Sequence, residues 1–301
     1  MAGVTAVDRG TPGVRRRLSA FLFRHPRTKL GILLGAPVAW MVVVYLGALA
    51  LLFVSAFWRL DPFTGLIIRD WGFTNFRTLF EDEVYRTIVL RTLGISVAVT
   101  VTDILLAFPL AYLAARLSTT RTRNLILLAV VVPLWSSYLV RIFAWRLILT
   151  SNGFLNWLVE ATGIGSLQIG NSNWAIWLVF VYLWLPYVML PIYGALERIP
   201  GSYLEASSDL GARGWRTFRS VIMPLALPGI VAGSIFAFSL TLGDYIAPQL
   251  VGNTKFIGSV VYDSVGVANN VPFAAALALV PVAIMAAYLL VAKRLGAFES
   301  L

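Results

Sequence analysis

Apolar positions along this chain do not recur on one side of a helix; they run unbroken. Six stretches, at about 30–57, 88–115, 125–149, 174–196, 225–250 and 271–292, are long and apolar all round. Hydrocarbon cannot hydrogen-bond an open backbone, so a bilayer core needs roughly 20 such residues wound as a helix. The pattern predicts an all-α integral membrane protein in which six transmembrane helices form one domain, residues 30–295. The first run follows a basic head, residues 1–29, which includes Arg15, Arg16, Arg17, Arg24, Arg27 and Lys29. That run is too long for the apolar part of a cleaved signal peptide and reads as an uncleaved anchor.

Composition strengthens the lipid reading. Apolar residues make up 59% of the 301 and charged residues only 13%, about half the share of a soluble protein. The net charge of +10 changes the picture in a different way. With the N-terminus placed in the cytoplasm, 16 basic residues fall on the inner side, six on the outer side and two, Arg141 and Arg146, within span three. Basic residues concentrate on the cytoplasmic side of membrane proteins, so the expected topology is N-in and C-in, with a short cytoplasmic tail at 296–301. The charge thus reads as topology, and no nucleic-acid partner is expected. The partner that the whole surface requires is a lipid bilayer.

Candidate chemistry is mostly excluded. The chain has no cysteine and one histidine, His25 in the basic head, so thiolate catalysis, a paired-histidine metal site and a Ser/His/Asp triad are ruled out. Its three lysines, Lys29, Lys255 and Lys293, do not follow a glycine, so no phosphate-cradling P-loop is present. No catalytic residue, metal site or cofactor site is expected. If transport consumes ATP, another polypeptide binds it.

Two polar features stand out against this background. The first is the segment 197–224. Pro200 and Gly201 interrupt the preceding span, and Ser202 stands three residues before Glu205 at the spacing of a capping box. Tyr203, Ala206 and Leu210 then share one face, while Glu205, Ser208 and Asp209 point elsewhere. Gly211 supplies a stop, and a second short helix is expected over about 214–222. On physics alone this is equally well a surface loop lying on headgroups.

Glu205-Ala206-Ser207, Gly211, and then Val221, Met223 and Pro224 resemble the EAA loop of binding-protein-dependent ABC importer permeases. Ser207, Val221 and Met223 replace an Ala, an Ile and a Leu of that pattern. The resemblance implies a coupling helix between spans four and five, with Tyr203, Leu204, Glu205, Ala206, Ser207, Asp209, Leu210 and Gly211 seated on a cytoplasmic ABC ATPase dimer. It also implies ATP and Mg bound on those ATPase subunits, a second permease subunit that is a different homologous chain, an extracytoplasmic solute-binding protein, and a bacterial inner membrane.

The second feature is a set of charged and aromatic residues within the spans, where polar groups are costly and mark functional candidates. Tyr138, Arg141 and Trp145 share a face with Leu134, and Gly243-Asp244-Tyr245 breaks helix regularity ahead of Pro248. With Pro133-Leu134-Trp135, these residues resemble the spermidine/putrescine branch of the permease family. Asp103, Trp135, Tyr138, Arg141, Trp145, Asp244 and Tyr245 are therefore the candidate substrate pathway for a polyamine. An arginine on the same path would oppose that solute, and a snorkelling or gate role for Arg141 and Asp244 stays open. A permease for an amino acid or another organic cation is the alternative, and an ATP-independent secondary transporter a more distant one. Gly31-x-x-x-Gly35 and Gly229-x-x-x-Gly233 permit close helix packing within the chain or against a partner.

Overall fold

The computed structural model describes residue 23 and residues 26–294, apart from 164 and 166–168. The arginines Arg15, Arg16, Arg17 and Arg24, His25 and the tail 296–301 lie outside the described residues. The chain divides after Val54 into two compact units. In the first, α1 (Pro26–Trp40) runs through a π-turn, Met41–Leu46, into α2 (Gly47–Ser55). Leu33–Ser55 is long and apolar enough to cross a membrane, and its most apolar stretch is unburied. A Cβ added at Gly31 or Gly35 would meet no atom of the described residues within 4 Å.

The second unit opens with a two-residue antiparallel ladder, β1 (Arg59–Leu60) against β2 (Ile67–Ile68), and the helix α3 (Thr74–Glu81). Asp61 closes the hairpin by accepting from the N–H groups of Phe63 at 2.8 Å and Thr64 at 3.3 Å. Those donors stabilise its ionised form and hold the carboxyl below the ordinary aspartate value. Asn75 on α3 donates to the Ala56 and Trp58 carbonyls, pinning the start of this segment to the helix.

Three helices then form the core. They are α4 (Glu83–Tyr112), extended by a π-turn to Leu117, α8 (Asn173–Glu197) and α11 (Met223–Gly243). Asp82 caps α4 through the Val84 N–H at 2.8 Å. Its inward stripe is small and polar, with Thr92, Ser96, Val99, Thr100, Asp103, Ala107 and Ala111 all buried. Each of the three hydroxyls donates to the carbonyl four residues back, and that of Thr92 also accepts from the Ile257 N–H at 3.1 Å. Against α8, Gly229 and Gly233 of α11 allow backbone contact: a Cβ at Gly229 would lie 2.6 Å from the Pro191 carbonyl oxygen, and one at Gly233 2.8 Å from that of Val188. This glycine pair packs within the chain. Within the π-turn that extends α4, Arg116 donates to the carbonyls of Leu196 at 2.6 Å and Ile199 at 2.5 Å, tying that end of α4 to the end of α8 and the turn that follows it.

Five helices among the described residues are long and apolar enough to span a membrane, or six if one bent pair counts as a single span. That pair is the expected third span, and it differs from expectation. Residues 125–149 are not one helix: α5 (Thr120–Val131) and a 3-10 turn at Val132–Trp135 meet α6 (Tyr138–Leu149) at a break of 99°. Pro133 has no N–H to continue the ladder, and Ser136 donates to its carbonyl through both N–H and hydroxyl. Leu134 therefore does not share a continuous face with Tyr138, Arg141 and Trp145. The fifth span also ends earlier than residue 250, since α11 stops at Gly243 and Asp244 is extended. A π-turn at Pro248–Gly252 and a further helix, α12 (Ile257–Gly266), follow before α13 (Val271–Arg294). The segment 150–173 contains α7 (Phe154–Glu160), a short helix with Phe154, Trp157 and Leu158 exposed.

Candidate functional site

The break in the third span and the early end of α11 meet each other. Tyr138 is the first residue of α6 and Asp244 the first after α11, and the Tyr138 hydroxyl donates to one carboxylate oxygen of Asp244. The other oxygen accepts from the N–H groups of Ile246 at 2.8 Å and Ala247 at 3.0 Å. Both oxygens are thereby fixed in direction. Gly258 makes this possible, because a Cβ there would lie 2.7 Å from the Gly243 oxygen and 2.8 Å from that of Asp244. Only a glycine lets the start of α12 rest on the chain reversal that carries the aspartate.

Aromatic rings surround the carboxylate. Trp184 of α8 stacks on Tyr138 with centroids 6.0 Å apart and on Phe180 at 6.1 Å, while Tyr245 stacks on Tyr262 at 4.8 Å. Tyr138, Trp184, Ser239, Leu240, Gly243, Asp244, Tyr245 and Ile246 line a cavity of about 400 Å³. Among the described residues its wall carries one acid and no base. An oriented carboxylate between ring faces attracts a cation by charge and by the ring quadrupoles together.

The other expected pathway residues lie elsewhere. Asp103 is fully buried on α4, with no hydrogen-bond donor to either carboxylate oxygen among the described residues, and does not line this cavity. Arg141 is buried, with its Nε unpartnered, and Trp145 leans on Tyr182 at 5.3 Å. Trp135 stands exposed at the helix break. The structure thus joins Tyr138, Asp244 and Tyr245 and leaves Asp103, Trp135, Arg141 and Trp145 outside. Sequence reasoning missed Trp184, Ser239, Gly258 and Tyr262. A tryptophan in the middle of a span, two residues before Pro186, was the one available signal for the first.

The segment 198–222 forms a second distinct surface. Helix α9 covers Gly201–Asp209, but its N-cap is Pro200 and no side chain caps it. The expected capping box is not formed: Pro200 starts the helix early enough to put Ser202 inside it. Its C-terminus closes at Gly211, whose φ is +74°, with Gly211 N–H to the Ser208 oxygen at 2.8 Å and Ala212 N–H to that of Ser207 at 3.1 Å. This paired closure needs a residue at positive φ, which glycine supplies without strain. The expected helix at 214–222 does not stand apart: α10 (Gly214–Thr217) and a π-turn at Phe218–Ile222 run straight into α11, giving 30 helical residues.

Ser207 is buried and its hydroxyl lies 3.0 Å from that of Thr217, tying α9 to α10, with Leu204 half-buried beside it. Tyr203, Ala206 and Leu210 turn outward, and Leu210 is 88% exposed. They border a groove of about 590 Å³ whose other wall includes Arg216, Val221, Pro224 and Leu225. Glu205 and Asp209 are exposed and make no ion pair among the described residues.

A family model described as the binding-protein-dependent transport system inner membrane component matches residues 107–298, which include α9, Tyr138 and Asp244. The chain belongs to this family. Along 96% of its length, and 96% of the relative's, this permease is 43% identical to the inner membrane ABC transporter permease protein YdcU of Escherichia coli (strain K12). It is 32% identical to the spermidine/putrescine transport system permease protein PotB of Haemophilus influenzae, over 73% of this chain and 78% of that one. Its fold is similar to a solved bacterial alginate ABC transporter, crystallised with an alginate pentasaccharide-bound periplasmic protein, at a TM-score of 0.71 and 16% identity over 92% and 96% of the two chains. The permease is a multi-pass inner-membrane subunit of an ABC transporter, not an enzyme, and ATP hydrolysis belongs to a separate subunit.

Proposed function

We propose that this permease carries a polyamine of the spermidine/putrescine class, handed over by an extracytoplasmic binding protein, and that Asp244 receives an ammonium group on the way. The observation that carries this reading is the Asp244 carboxylate, held by Tyr138 and two backbone N–H groups inside an aromatic cavity without a basic side chain. Similarity to PotB supports the same solute class. Arg141, which would oppose a cation on the path, does not line the cavity.

Transport proceeds by alternating access driven from the other surface. The count of 16 basic residues argues for N-in and C-in, which puts α9 in the cytoplasm. There it acts as the coupling helix, with Tyr203, Ala206 and Leu210 as an apolar ridge for a groove on an ATPase dimer and Glu205 and Asp209 as carboxylates for its basic rim. Leu204, Ser207 and Gly211 hold the helix in place. ATP and Mg bind the ATPase subunits, and a second, homologous permease completes the path.

The test is uptake of labelled putrescine and spermidine by cells carrying the complete transporter. The parent protein takes up both, and Asp244→Asn lowers uptake at least tenfold at normal membrane abundance, while Asp244→Glu retains part of it. No amine uptake by the parent overturns the solute assignment, and undiminished uptake by Asp244→Asn overturns the role given to Asp244.

A further inference from the structure

A second cavity shares a wall with the first. Tyr245, Val261, Tyr262, Val265, Ala278 and Pro281, contributed by the end of α11 and by α12 and α13, line an apolar groove of about 480 Å³. Gly243 and Tyr245 border both cavities. Among the described residues the groove wall carries no charge. A Cβ added at Gly243 would meet nothing within 4 Å, so the backbone there faces open space.

We propose that this groove holds the hydrocarbon chain of the solute, and that Gly243 keeps open the passage between it and the Asp244 cavity. The inference rests on the polyamine reading. An ammonium anchored at Asp244 is bonded to methylenes that have to lie somewhere, and the adjoining wall is apolar on the one side that shares Gly243. The stacked Tyr245 and Tyr262 rings form a flat wall along which an extended chain lies. Tyr262 and Val265 are about half exposed, so the far end of the groove is not closed by the described residues. The groove therefore selects for chain length, where Asp244 selects for charge.

Gly243 gives a direct test. It lies in the last turn of α11, where a side chain is sterically free, so Gly243→Val narrows the passage without a clash in the protein. Ala278→Phe fills the groove from α13 and serves as the independent second variant. Uptake of diamines with three, four, five and six methylenes is measured through the same binding protein, and each variant rate is divided by the parent rate, which cancels the receptor's own preference. Burying a methylene is worth about fourfold in binding. The ratio is expected to fall with each added methylene, by up to about that factor, in both variants. A ratio that is the same at every length shows a general defect or a groove filled by lipid, and overturns the proposal. Asp244→Asn, run in parallel, separates the two readings. If it reduces all diamines equally while the other variants show no length dependence, the polyamine reading stands and the groove inference falls. If it changes nothing, the ammonium anchor at Asp244 falls, and the groove inference built on it falls with it.

Discussion

The two candidate surfaces of this permease differ in how far the chain completes them by itself. Around Asp244 every polar atom of the carboxylate has a donor, the rings stack on one another, and Gly258 fixes the backbone beneath. Along α9 the reverse holds. Leu210 is 88% exposed, Tyr203 is half exposed, and two carboxylates make no ion pair among the described residues. An exposed apolar ridge beside a groove marks a surface that another molecule covers. On the proposed reading, the internal site is preorganised for a small guest and the outer one is shaped for a protein.

The largest effect is therefore expected where the missing partner would sit. Leu210→Asp places a charge on the ridge without touching the Ser207–Thr217 contact that seats α9. A central apolar anchor of an interface contributes about 2–4 kcal/mol, so docking weakens by roughly 30- to 900-fold. Co-purification of the ATPase and solute uptake are expected to fall together, with the permease still abundant in the membrane. Gly211→Val, forced into positive φ, is expected to give the same phenotype through loss of the helix end. Normal ATPase retention by both variants would remove α9 from the coupling role.

An intermediate effect is expected at Arg116, which sharpens the comparison because it serves only one end. Its guanidinium covers the Leu196 and Ile199 carbonyls, directly before the turn that begins α9. Hydrogen bonds from a charged donor contribute about 1.5–3 kcal/mol. Arg116→Ala is expected to lower the unfolding temperature in detergent and to weaken ATPase coupling, yet leave the solute KM unchanged. A raised KM with intact stability would mean that the two ends are not separable in this way.

What could be read in advance divides along physical lines. The apolar runs were legible because lipid imposes one rule on every spanning residue, and the α9 segment because a proline, an outward ridge and Gly211 lie within a dozen residues. The break at Pro133 was not, since a proline in a membrane helix either kinks or ends it according to how the following residues are held, and here Ser136 turns back onto the Pro133 carbonyl. Ser202 with Glu205 matched a capping box, but Pro200 had already begun the helix. The cavity was legible only in its local parts. Tyr138 and Asp244 stood out as polar residues at weak points of spans, whereas Trp184 and Tyr262 join them through contacts between distant parts of the chain. Asp103 shows the converse, a buried charge that attracted notice and yet lies outside the cavity.

The smallest predicted effect concerns one of those unforeseen residues. Trp184 is buried against Phe180 and Tyr138, and its ring walls the cavity beside Asp244. If the solute is a cation, that ring contributes through its quadrupole, about 0.5–2 kcal/mol, in addition to its packing. Trp184→Phe keeps an aromatic face of lower strength, and Trp184→Leu keeps apolar bulk without one. The solute KM is expected to rise about 2- to 30-fold in the leucine variant and by less in the phenylalanine variant, with the maximal rate largely retained. Packing alone predicts the same order, because leucine leaves a larger void beside Tyr138 than phenylalanine does, but the damage would then appear in stability and not in KM. An equal KM in the two variants, with a graded loss of thermal stability, would assign Trp184 to the scaffold and leave Asp244 to hold the ammonium with the tyrosines alone.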